Sequence, residues 1–251
     1  MDEEGWYSVT PERVADQIAE RCRCDTIVDA FCGVGGNAIA FAKTCERGEY
    51  ILFRYCGMPM LKFGGGAVIA LDTNPTRLAL ARHNAVLYGV ADRIEFILAD
   101  YLSFARSYLS LPSTPNRKID VVFLSPPWGG PSYLSGSNIE TAEGTQVATN
   151  EDILTENLTP VEVHPEYSLA SIQPIHGAKL FGLSRRISCN IAYFLPRNTK
   201  LEEISALLDD EQSRDDMTPE VVEVEEEWMG SKLKALTCYF GGLVSGQEHL
   251  F

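Results

Sequence analysis

The spacing of apolar residues along the chain alternates between helical and strand patterns. Apolar residues at helical spacing occupy residues 8–22, 37–43, 75–89 and 180–189. Short apolar runs, typical of buried strands, occupy residues 25–31, 67–72, 93–98, 119–124 and 190–195. Two further segments, 220–228 and 234–240, predict an antiparallel pair at the end of the chain. Because strands separated by helices form parallel sheets covered on both faces, the pattern predicts an α/β protein with a seven-stranded, mostly parallel sheet.

Local signals mark the ends of two predicted helices. Thr10 is a residue type that caps helix N-termini, and Pro11 suits the first helical position, so we expect the first helix to begin there. Gly89 follows the last apolar residue of the helix over 75–89 and is expected to end it.

Two segments break the alternation. Residues 44–66 separate a helix from the next strand by more residues than such connections need, and residues 134–166 are polar and lack periodicity. We interpret the first segment as an insertion, either lineage-specific or a translated intron, and expect the second to be disordered. The rest of the pattern is continuous. It predicts one domain over residues 26–251, preceded by an N-terminal helical arm over residues 1–25.

Most of the formal net charge of −14 lies in one segment. Residues 202–227 contain twelve acids and one base, Arg214, and so carry −11 of that charge. We expect this run to form a solvated face or loop. The acidity argues against wrapping a long nucleic acid, because such binding needs many contacts with phosphates. A small anionic ligand held by a few positive side chains remains compatible with it.

The seven cysteines and four histidines are scattered and show no metal-ligand spacing. We therefore expect reduced thiols and no metal site. No run approaches the roughly 18 apolar residues of a membrane span, and the first residues lack the pattern of a secretory signal. These features favour a protein of the cell interior with no membrane partner.

A glycine-rich turn follows the first predicted strand. Gly33, Gly35 and Ala38 match the G-x-G-x-x-A pattern, in which glycines let the backbone approach a ligand at the start of a helix. Asp29 lies at the end of the strand, four residues before Gly33. Its charge would repel a pyrophosphate at the helix N-terminus, but it suits a cationic ligand that carries an amine.

Two further acids lie at the ends of the next two predicted strands. Asp72 ends the second strand, where a carboxylate can accept hydrogen bonds from both hydroxyls of a ribose. Asp100 ends the third strand, where it can accept from an exocyclic amine, and Tyr101 beside it can cover a base. Each acid alone could be a helix cap or a surface residue. Three acids at three successive strand ends fit S-adenosylmethionine (SAM) better than a dinucleotide, so a nicotinamide-dependent oxidoreductase is the least favoured interpretation.

A rigid loop, Ser125-Pro126-Pro127-Trp128, follows the fourth predicted strand. Prolines lack the donor that a strand needs, so the strand ends here, at the edge where α/β sheets bind ligands. Backbone carbonyls and the Ser125 oxygen could hold the protons of an exocyclic amine and turn its lone pair toward a methyl donor. Trp128 could stack on the base, with a preference for a positively charged one such as 7-methylguanine. The alternative is a rigid loop with a packing tryptophan.

Several segments together resemble the trimethylguanosine synthase family of RNA cap methyltransferases. They are the Ser-Pro-Pro-Trp string within residues 121–133 and the segments 2–12, 28–37, 81–96 and 193–198. The resemblance implies a class I methyltransferase fold, which is Rossmann-like, and SAM as cofactor. It also implies methyl transfer to N2 of 7-methylguanosine in the 5′ caps of small nuclear and nucleolar RNAs, giving 2,7-dimethyl- and 2,2,7-trimethylguanosine caps.

The resemblance further implies roles for individual residues. Trp128 would stack on the 7-methylguanine, and Ser125 with Pro126 would address its N2. The cap phosphates would meet Tyr133, Arg197, Asn198 and Lys234. The cofactor site would include Phe31 and Asn37 beside the glycine turn, and the N-terminal block would bring Trp6, Ser8 and Thr10 to the cofactor or cap pocket. Arg197 and Lys234 could instead be solvated surface bases.

By the same resemblance, the protein would act on capped small RNAs in the nucleus, in the nucleolus or nuclear bodies, with proteins of small ribonucleoproteins as further partners. The cytoplasm stays open as a second location, and we expect a monomer. The residues leave other functions open. The protein could instead be an amino methyltransferase that acts on an internal RNA base or on a protein glutamine, or a module that binds caps without transferring a methyl group.

Overall fold

The computed structural model describes residues 9–45, 67–112, 118–129, 166–209 and 220–244. Trp6, Ser8 and Tyr133 lie outside the described residues, as do most of the two segments interpreted as insertions. None of the described helices is long and apolar enough to cross a membrane.

Seven strands of the described residues form one mixed sheet, as the apolar runs predicted. They are β1 (Ile27–Asp29), β2 (Val68–Asp72), β3 (Ile94–Leu98), β4 (Val121–Leu124), β5 (Asn190–Pro196), β6 (Val222–Met229) and β7 (Lys232–Phe240). Their order is β3-β2-β1-β4-β5-β7-β6. The first five strands pair in parallel, and β7 runs antiparallel between β5 and β6. The predicted α/β architecture with an antiparallel pair at one edge is confirmed.

Six α-helices of the described residues cover the two faces of the sheet. They are α1 (Glu12–Arg21), α2 (Gly36–Thr44), α3 (Pro75–Leu87), α4 (Tyr101–Ser110), α5 (Gly177–Arg185) and α6 (Leu201–Asp209). One apolar core joins the sheet to α1, α2 and α3, and a second joins it to α4, α5 and α6. Four helices match predicted ones, with α5 beginning three residues earlier than expected. The apolar spacing had not indicated α4 and α6.

The N-terminus of α1 differs from the expectation. The helix begins at Glu12, its cap position is Pro11, and no side chain caps it. Thr10 is buried, and its Oγ1 accepts a hydrogen bond of 2.9 Å from Asn37 Nδ2. Thr10 therefore ties the start of the arm to the first turn of α2 rather than capping α1. The end of α3 is as predicted, because Gly89 follows the cap residue Tyr88 with a φ of +70°.

Part of the acidic run is buried, which corrects the expectation of a solvated face. Glu223, Glu225 and Glu227 alternate along β6, and the first two contact α1 through Arg21, whose side chain is only 2% exposed. Two hydrogen bonds of 2.9 and 3.0 Å join the Arg21 guanidinium to Glu223, and Glu225 lies 3.5 Å away. The guanidinium also stacks on the Tyr239 ring at 4.2 Å. The acids thus serve to hold the arm helix against the sheet.

Glu227 is the most deeply buried of the three acids. It is 1% exposed, and its carboxylate accepts a hydrogen bond from Thr237 Oγ1. Burial raises its pKa to about 7, and the neighbouring charge of Glu225 adds to the rise. At neutral pH this side chain therefore contributes less negative charge than the sequence count assigns to it.

Replacement of Arg21 by methionine should destabilise the protein by about 3 kcal/mol. The change leaves Glu223 and Glu225 without their counter-ion, and breaking one side of a buried pair costs more than the pair itself contributes. Urea unfolding followed by circular dichroism measures the effect.

Arg23→Met is the matched control for this prediction. Arg23 pairs with Glu20 at 2.7 Å, but both side chains are largely exposed, at 61% and 47%. An exposed pair of this kind contributes about 0–1 kcal/mol. Equal losses of stability for the two variants would contradict the assigned role of Arg21.

Candidate active site

The candidate site lies along the carboxyl ends of the parallel strands. The strand order reverses between β1 and β4, since the chain continues from β1 to β2 on one side and from β4 to β5 on the other. Ligands of open α/β sheets bind in the crevice at such a reversal. Asp29 and Asp72 end β1 and β2, Ser125 directly follows β4, and Arg197 directly follows β5.

The glycine turn between β1 and α2 has the backbone that the sequence pattern predicts. Gly33 and Gly35 have φ values of +53° and +89°, a region that side chains disfavour. A Cβ at Gly35 would lie 3.0 Å from the Cβ of Ala81 in α3, so this glycine permits close helix packing. A Cβ at Gly33 would meet no atom within 4 Å. The turn therefore leaves open space beside Gly33, where a ligand can approach the backbone.

Asp72 is held by two backbone donors. Its Oδ2 accepts from the Gly33 N–H at 2.9 Å, and its Oδ1 accepts from the Asn74 N–H at 2.7 Å. The carboxylate is thereby fixed between the glycine turn and the start of α3. Each oxygen keeps a further lone pair, so the oriented carboxylate can still accept from two vicinal hydroxyls.

Asp29 is fully buried, and neither of its carboxylate oxygens has a hydrogen-bond partner among the described residues. Burial raises its pKa to about 7, and the charge of Asp72 adds to the rise. The nearby backbone N–H groups of Phe31 and Ala38 offset part of it. An unpartnered buried carboxyl is costly. A cationic ligand group beside it would remove that cost, and this fits the amine-bearing ligand expected from the sequence.

Other residues assigned to the cofactor site also surround the turn. Asn37 donates to Thr10, as described above, while its buried Oδ1 has no partner within the described part of the chain. Phe31 is half-buried, and its ring centroid lies 5.9 Å from that of Tyr101. The structure therefore brings Thr10, Phe31 and Asn37 to the same end of the sheet as Asp29.

Tyr101 is placed differently from the expectation, whereas Asp100 lies at the end of β3 as expected and its ligand role stays a prediction. Asp100 caps α4, because its Oδ2 accepts from both the N–H and the Oγ of Ser103 at 3.0 Å. Tyr101 is 1% exposed, and its hydroxyl forms a 2.7 Å hydrogen bond with Ser184 in α5. A ring enclosed in this way, with its hydroxyl satisfied, is part of the core and does not cover a base. The capping role was the alternative that the sequence left open for Asp100.

The Ser-Pro-Pro-Trp loop is anchored at both ends. Ser125 Oγ donates to the Phe31 carbonyl at 3.4 Å, which joins the loop to the glycine turn. The carbonyl of Trp128 accepts from Tyr167 Oη at 3.4 Å. The Trp128 ring is half-buried and lies 5.3 Å from the Phe194 ring, with 33° between the planes. Pro126 is buried between these anchor points.

Phe194 and Tyr167 are two site residues that the motifs did not indicate. Phe194 supports Trp128 from β5, and Tyr167 holds its backbone from a segment 39 residues further along the chain. No local pattern marks either residue. Only the pairing of β4 with β5, which places Leu124 beside Tyr193, would have identified Phe194.

The expected phosphate contacts lie on the opposite side of this loop from Asp29. Arg197 Nη1 donates to the Leu233 carbonyl at 3.3 Å, and Pro196 pairs with Ala235, so Arg197 and Lys234 are neighbours at the ends of β5 and β7. Lys234 is exposed. The carbonyl of Asn198 accepts from the Tyr167 N–H at 2.7 Å, which fixes the turn after β5. The candidate site therefore has the acids Asp29 and Asp72 on the β1–β2 side and the basic residues Arg197 and Lys234 on the β5–β7 side.

Comparisons with known proteins agree with this arrangement. A family model described as RNA cap guanine-N2 methyltransferase matches residues 24–160 and 161–243. The trimethylguanosine synthase of Schizosaccharomyces pombe is 35% identical over 217 residues, covering 82% of this chain and 66% of that protein. The trimethylguanosine synthase of Saccharomyces cerevisiae is 29% identical over 210 residues, covering 82% of this chain and 50% of that protein. The chain thus spans half to about two thirds of these relatives.

A solved structure described as a methyltransferase from Porphyromonas gingivalis W83 has the same fold. It aligns with a TM-score of 0.53 at 12% identity and covers 96% of this chain and 43% of that chain. At this identity the likeness concerns the fold alone. Together with the strand order, it confirms the expected class I methyltransferase fold.

The family model covers the glycine turn, the Ser-Pro-Pro-Trp loop, Arg197 and Lys234, which together form the candidate site. The resemblance seen in the sequence motifs is confirmed, and the chain belongs to the RNA cap guanine-N2 methyltransferase family.

Proposed function

We propose that this protein transfers methyl groups from SAM to N2 of 7-methylguanosine at the 5′ cap of small RNAs. The observation that supports this best is the division of the site by the Ser125–Trp128 loop. A buried, unpartnered Asp29 on one side suits a cationic methyl donor, and Arg197 with Lys234 on the other side suits an acceptor that carries phosphates. The loop between them offers an aromatic surface and polar oxygens for a base that bears an amine.

The residues around the glycine turn fit SAM. Asp29 would hold the ammonium of its methionine part, since its carboxylate oxygens have no hydrogen-bond partner in the described part of the chain. Asp72, fixed by two backbone donors, would accept from the ribose hydroxyls. The open space at Gly33 would admit the ligand close to the backbone. When bound, SAM supplies a methyl group on a positively charged sulfur.

The Ser125 region would position the accepting amine. Ser125 Oγ donates its proton to the Phe31 carbonyl, so its lone pairs face outward as acceptors for an N–H of the exocyclic N2. The backbone carbonyl between Ser125 and Pro126 offers a second acceptor. Holding these protons turns the lone pair of N2 toward the methyl group, and such orientation supplies much of the acceleration in a two-substrate transfer.

Trp128 would hold the base itself. Its indole can stack on a positively charged 7-methylguanine with a cation–π attraction of about 2 kcal/mol when desolvated. Phe194 packs against the indole, and Tyr167 holds the Trp128 backbone, so the ring is positioned before the base arrives. Positioning in advance lowers the entropic cost of binding.

Basic and polar side chains beyond the Ser-Pro-Pro-Trp loop would contact the cap phosphates. Arg197, Asn198 and Lys234 lie together at the ends of β5 and β7, where a few point contacts suffice for a triphosphate bridge. Tyr133, outside the described residues, joins this group through the family resemblance alone. No general base is required, because the proton lost from N2 can leave to solvent after transfer.

We further propose that the substrates are capped small nuclear and nucleolar RNAs, and that the protein acts on them as a nuclear monomer. The likeness to two trimethylguanosine synthases supports this assignment. Proteins of small ribonucleoproteins would deliver the RNA.

Methyl transfer to 7-methyl-GTP but not to GTP is the first expected outcome. Labelled SAM is incubated with each nucleotide, and mass spectrometry of the product counts the methyl groups added. Transfer to both nucleotides would favour a less specific amino methyltransferase. A glutamine-containing peptide is assayed in parallel to test whether the protein methylates a glutamine side chain instead. Binding of both ligands without transfer would indicate a cap-binding module.

Trp128→Ala should lower kcat/KM for 7-methyl-GTP by at least about 100-fold, because it removes both the cation–π attraction and the positioning of the base. The affinity for SAM, measured by calorimetry, should change by less than about threefold. Trp128→Phe keeps a flat ring and should recover part of the activity. An equal loss of SAM affinity would show instead that Trp128 is a packing residue.

The affinity for SAM should fall roughly five- to tenfold between pH 7.5 and pH 6. Asp29 has a pKa of about 7 in the free protein, so its negative charge, which attracts the ammonium, is progressively lost over this range. The ammonium is mostly protonated at pH 7.5 and becomes fully protonated toward pH 6, because α-amino groups titrate near pH 7.7–8.0, so its own titration cannot cause a loss of affinity at lower pH. In Asp29→Asn the affinity at pH 7.5 should be low and nearly independent of pH. An identical pH profile in the two proteins would contradict this role of Asp29.

The same variant gives an independent check on the free protein. Because the folded state raises the pKa of Asp29 above its ordinary 3.8, this group favours folding at low pH and opposes it as pH rises toward 7. Asp29→Asn should therefore increase the thermal midpoint of the ligand-free protein at pH 8 more than at pH 4.

A further inference from the structure

Trp228 is an exposed aromatic residue that the proposed function leaves without a role. It lies near the end of β6, and half of its surface is accessible to solvent. Its indole N–H donates to Glu226 at 3.0 Å, so the ring is held in one orientation. The strand register shifts between Glu227 and Trp228, and such bulges redirect the side chain that follows them. A single exposed tryptophan is not by itself a site, so its surroundings decide what it can bind.

The position of Trp228 makes it a neighbour of the proposed phosphate contacts. Trp228 pairs directly with Leu233 of β7, and opposite residues of an antiparallel pair have Cα atoms about 4.5–5.5 Å apart. The Leu233 carbonyl accepts the hydrogen bond of Arg197, and Lys234 is the next residue. The indole therefore lies close enough to Arg197 and Lys234, the basic side chains assigned to the cap phosphates, for one nucleotide to span the distance.

Two positive side chains flank Leu233 on β7. Lys232 and Lys234 are exposed and form no ion pair with any described residue. Glu226 is the one exposed acid between residues 226 and 234, and its carboxylate accepts from the Trp228 indole at the edge of the ring, while its neighbour Glu227 is buried. A flat aromatic ring beside positive side chains is the combination on which single-stranded nucleic acids stack their bases.

We propose that the β6–β7 hairpin binds the nucleotide that follows the cap, with its base stacked on Trp228 and the triphosphate bridge that joins it to the cap beside Lys234. This inference rests on the proposed function, and it extends the substrate site from the cap to the RNA body. The surface is continuous with the cap-phosphate contacts through Lys234 and Leu233. The RNA would therefore leave the site along β7.

The test compares two substrates that differ only in the nucleotide after the cap. KM and kcat are measured for wild type and Trp228→Ala with 7-methyl-GTP and with the capped dinucleotide 7-methyl-GpppA. We expect Trp228→Ala to raise KM for the dinucleotide about tenfold, within the range that base–aromatic stacking contributes, and to change KM for 7-methyl-GTP by less than twofold. Trp228→Phe, which keeps a stacking ring, should restore most of the dinucleotide affinity.

Leu201→Ala provides the matched control. Leu201 is 52% exposed at the start of α6 and lines a depression beside Asn198, the other direction in which RNA could leave the phosphate contacts. The expected result is no change for either substrate. A selective rise in KM for the dinucleotide in Leu201→Ala, in place of Trp228→Ala, would overturn the proposal.

The remaining outcomes separate this inference from the proposed function. If wild type methylates 7-methyl-GTP and Trp228→Ala changes KM for both substrates equally or for neither, the inference is wrong. Trp228 would then bind a protein partner or serve only in packing. If wild type methylates neither substrate, the proposed function itself fails, and the inference fails with it.

Discussion

The parallel pairing of β1 with β4 is the constraint on which the site depends. Asp29 pairs with Phe123, so the two strands end side by side even though 94 residues separate the backbone carbonyl of Phe31 from Ser125. That register places the glycine turn and the Ser-Pro-Pro-Trp loop in contact through the hydrogen bond from Ser125 Oγ. A shift of one residue would move Phe123 to the other face of the sheet, away from Phe41, on which it packs. Core packing thus determines how the proposed cofactor site at the glycine turn and the proposed base site at the Ser-Pro-Pro-Trp loop lie relative to each other.

The burial of Asp29 shows how stability and function oppose each other at this point. The folded chain encloses a carboxyl without a hydrogen-bond partner among the described residues and raises its pKa toward 7, which is unfavourable for the free protein. Under the proposed function, the ligand-bound state relieves this cost. A bound ammonium group would do so, which is why the position reads as a ligand contact. Tyr101 shows the opposite case, since its buried hydroxyl already bonds with Ser184 and needs no ligand.

The sequence predicted those features that depend on neighbouring residues. The glycine turn, the end of β4 at the prolines and the seven strands follow from local backbone preferences and apolar spacing, and all agree with the structure. Features that depend on distant contacts were missed or misplaced. Phe194 supports Trp128 across two strands, and Tyr101 points into a core made with α5, which no local pattern indicates. α4 was missed because the apolar spacing of its residues did not indicate a helix.

The net charge of the protein likewise shows the difference between what the sequence indicates and what distant contacts determine. A net charge of −14 argues against a nucleic-acid partner when it is treated as a single number. In the structure, Glu223 and Glu225 contact Arg21, and Glu227 is buried with a raised pKa, so Glu226 is the one acid of β6 whose side chain is exposed near the end of the strand. Lys232 and Lys234 are exposed at the same end of the hairpin. Attraction of a phosphate depends on the charges within about one Debye length of it, roughly 8 Å in physiological salt. An acidic protein can therefore offer a basic binding edge, provided that its acids are paired or buried where the ligand approaches.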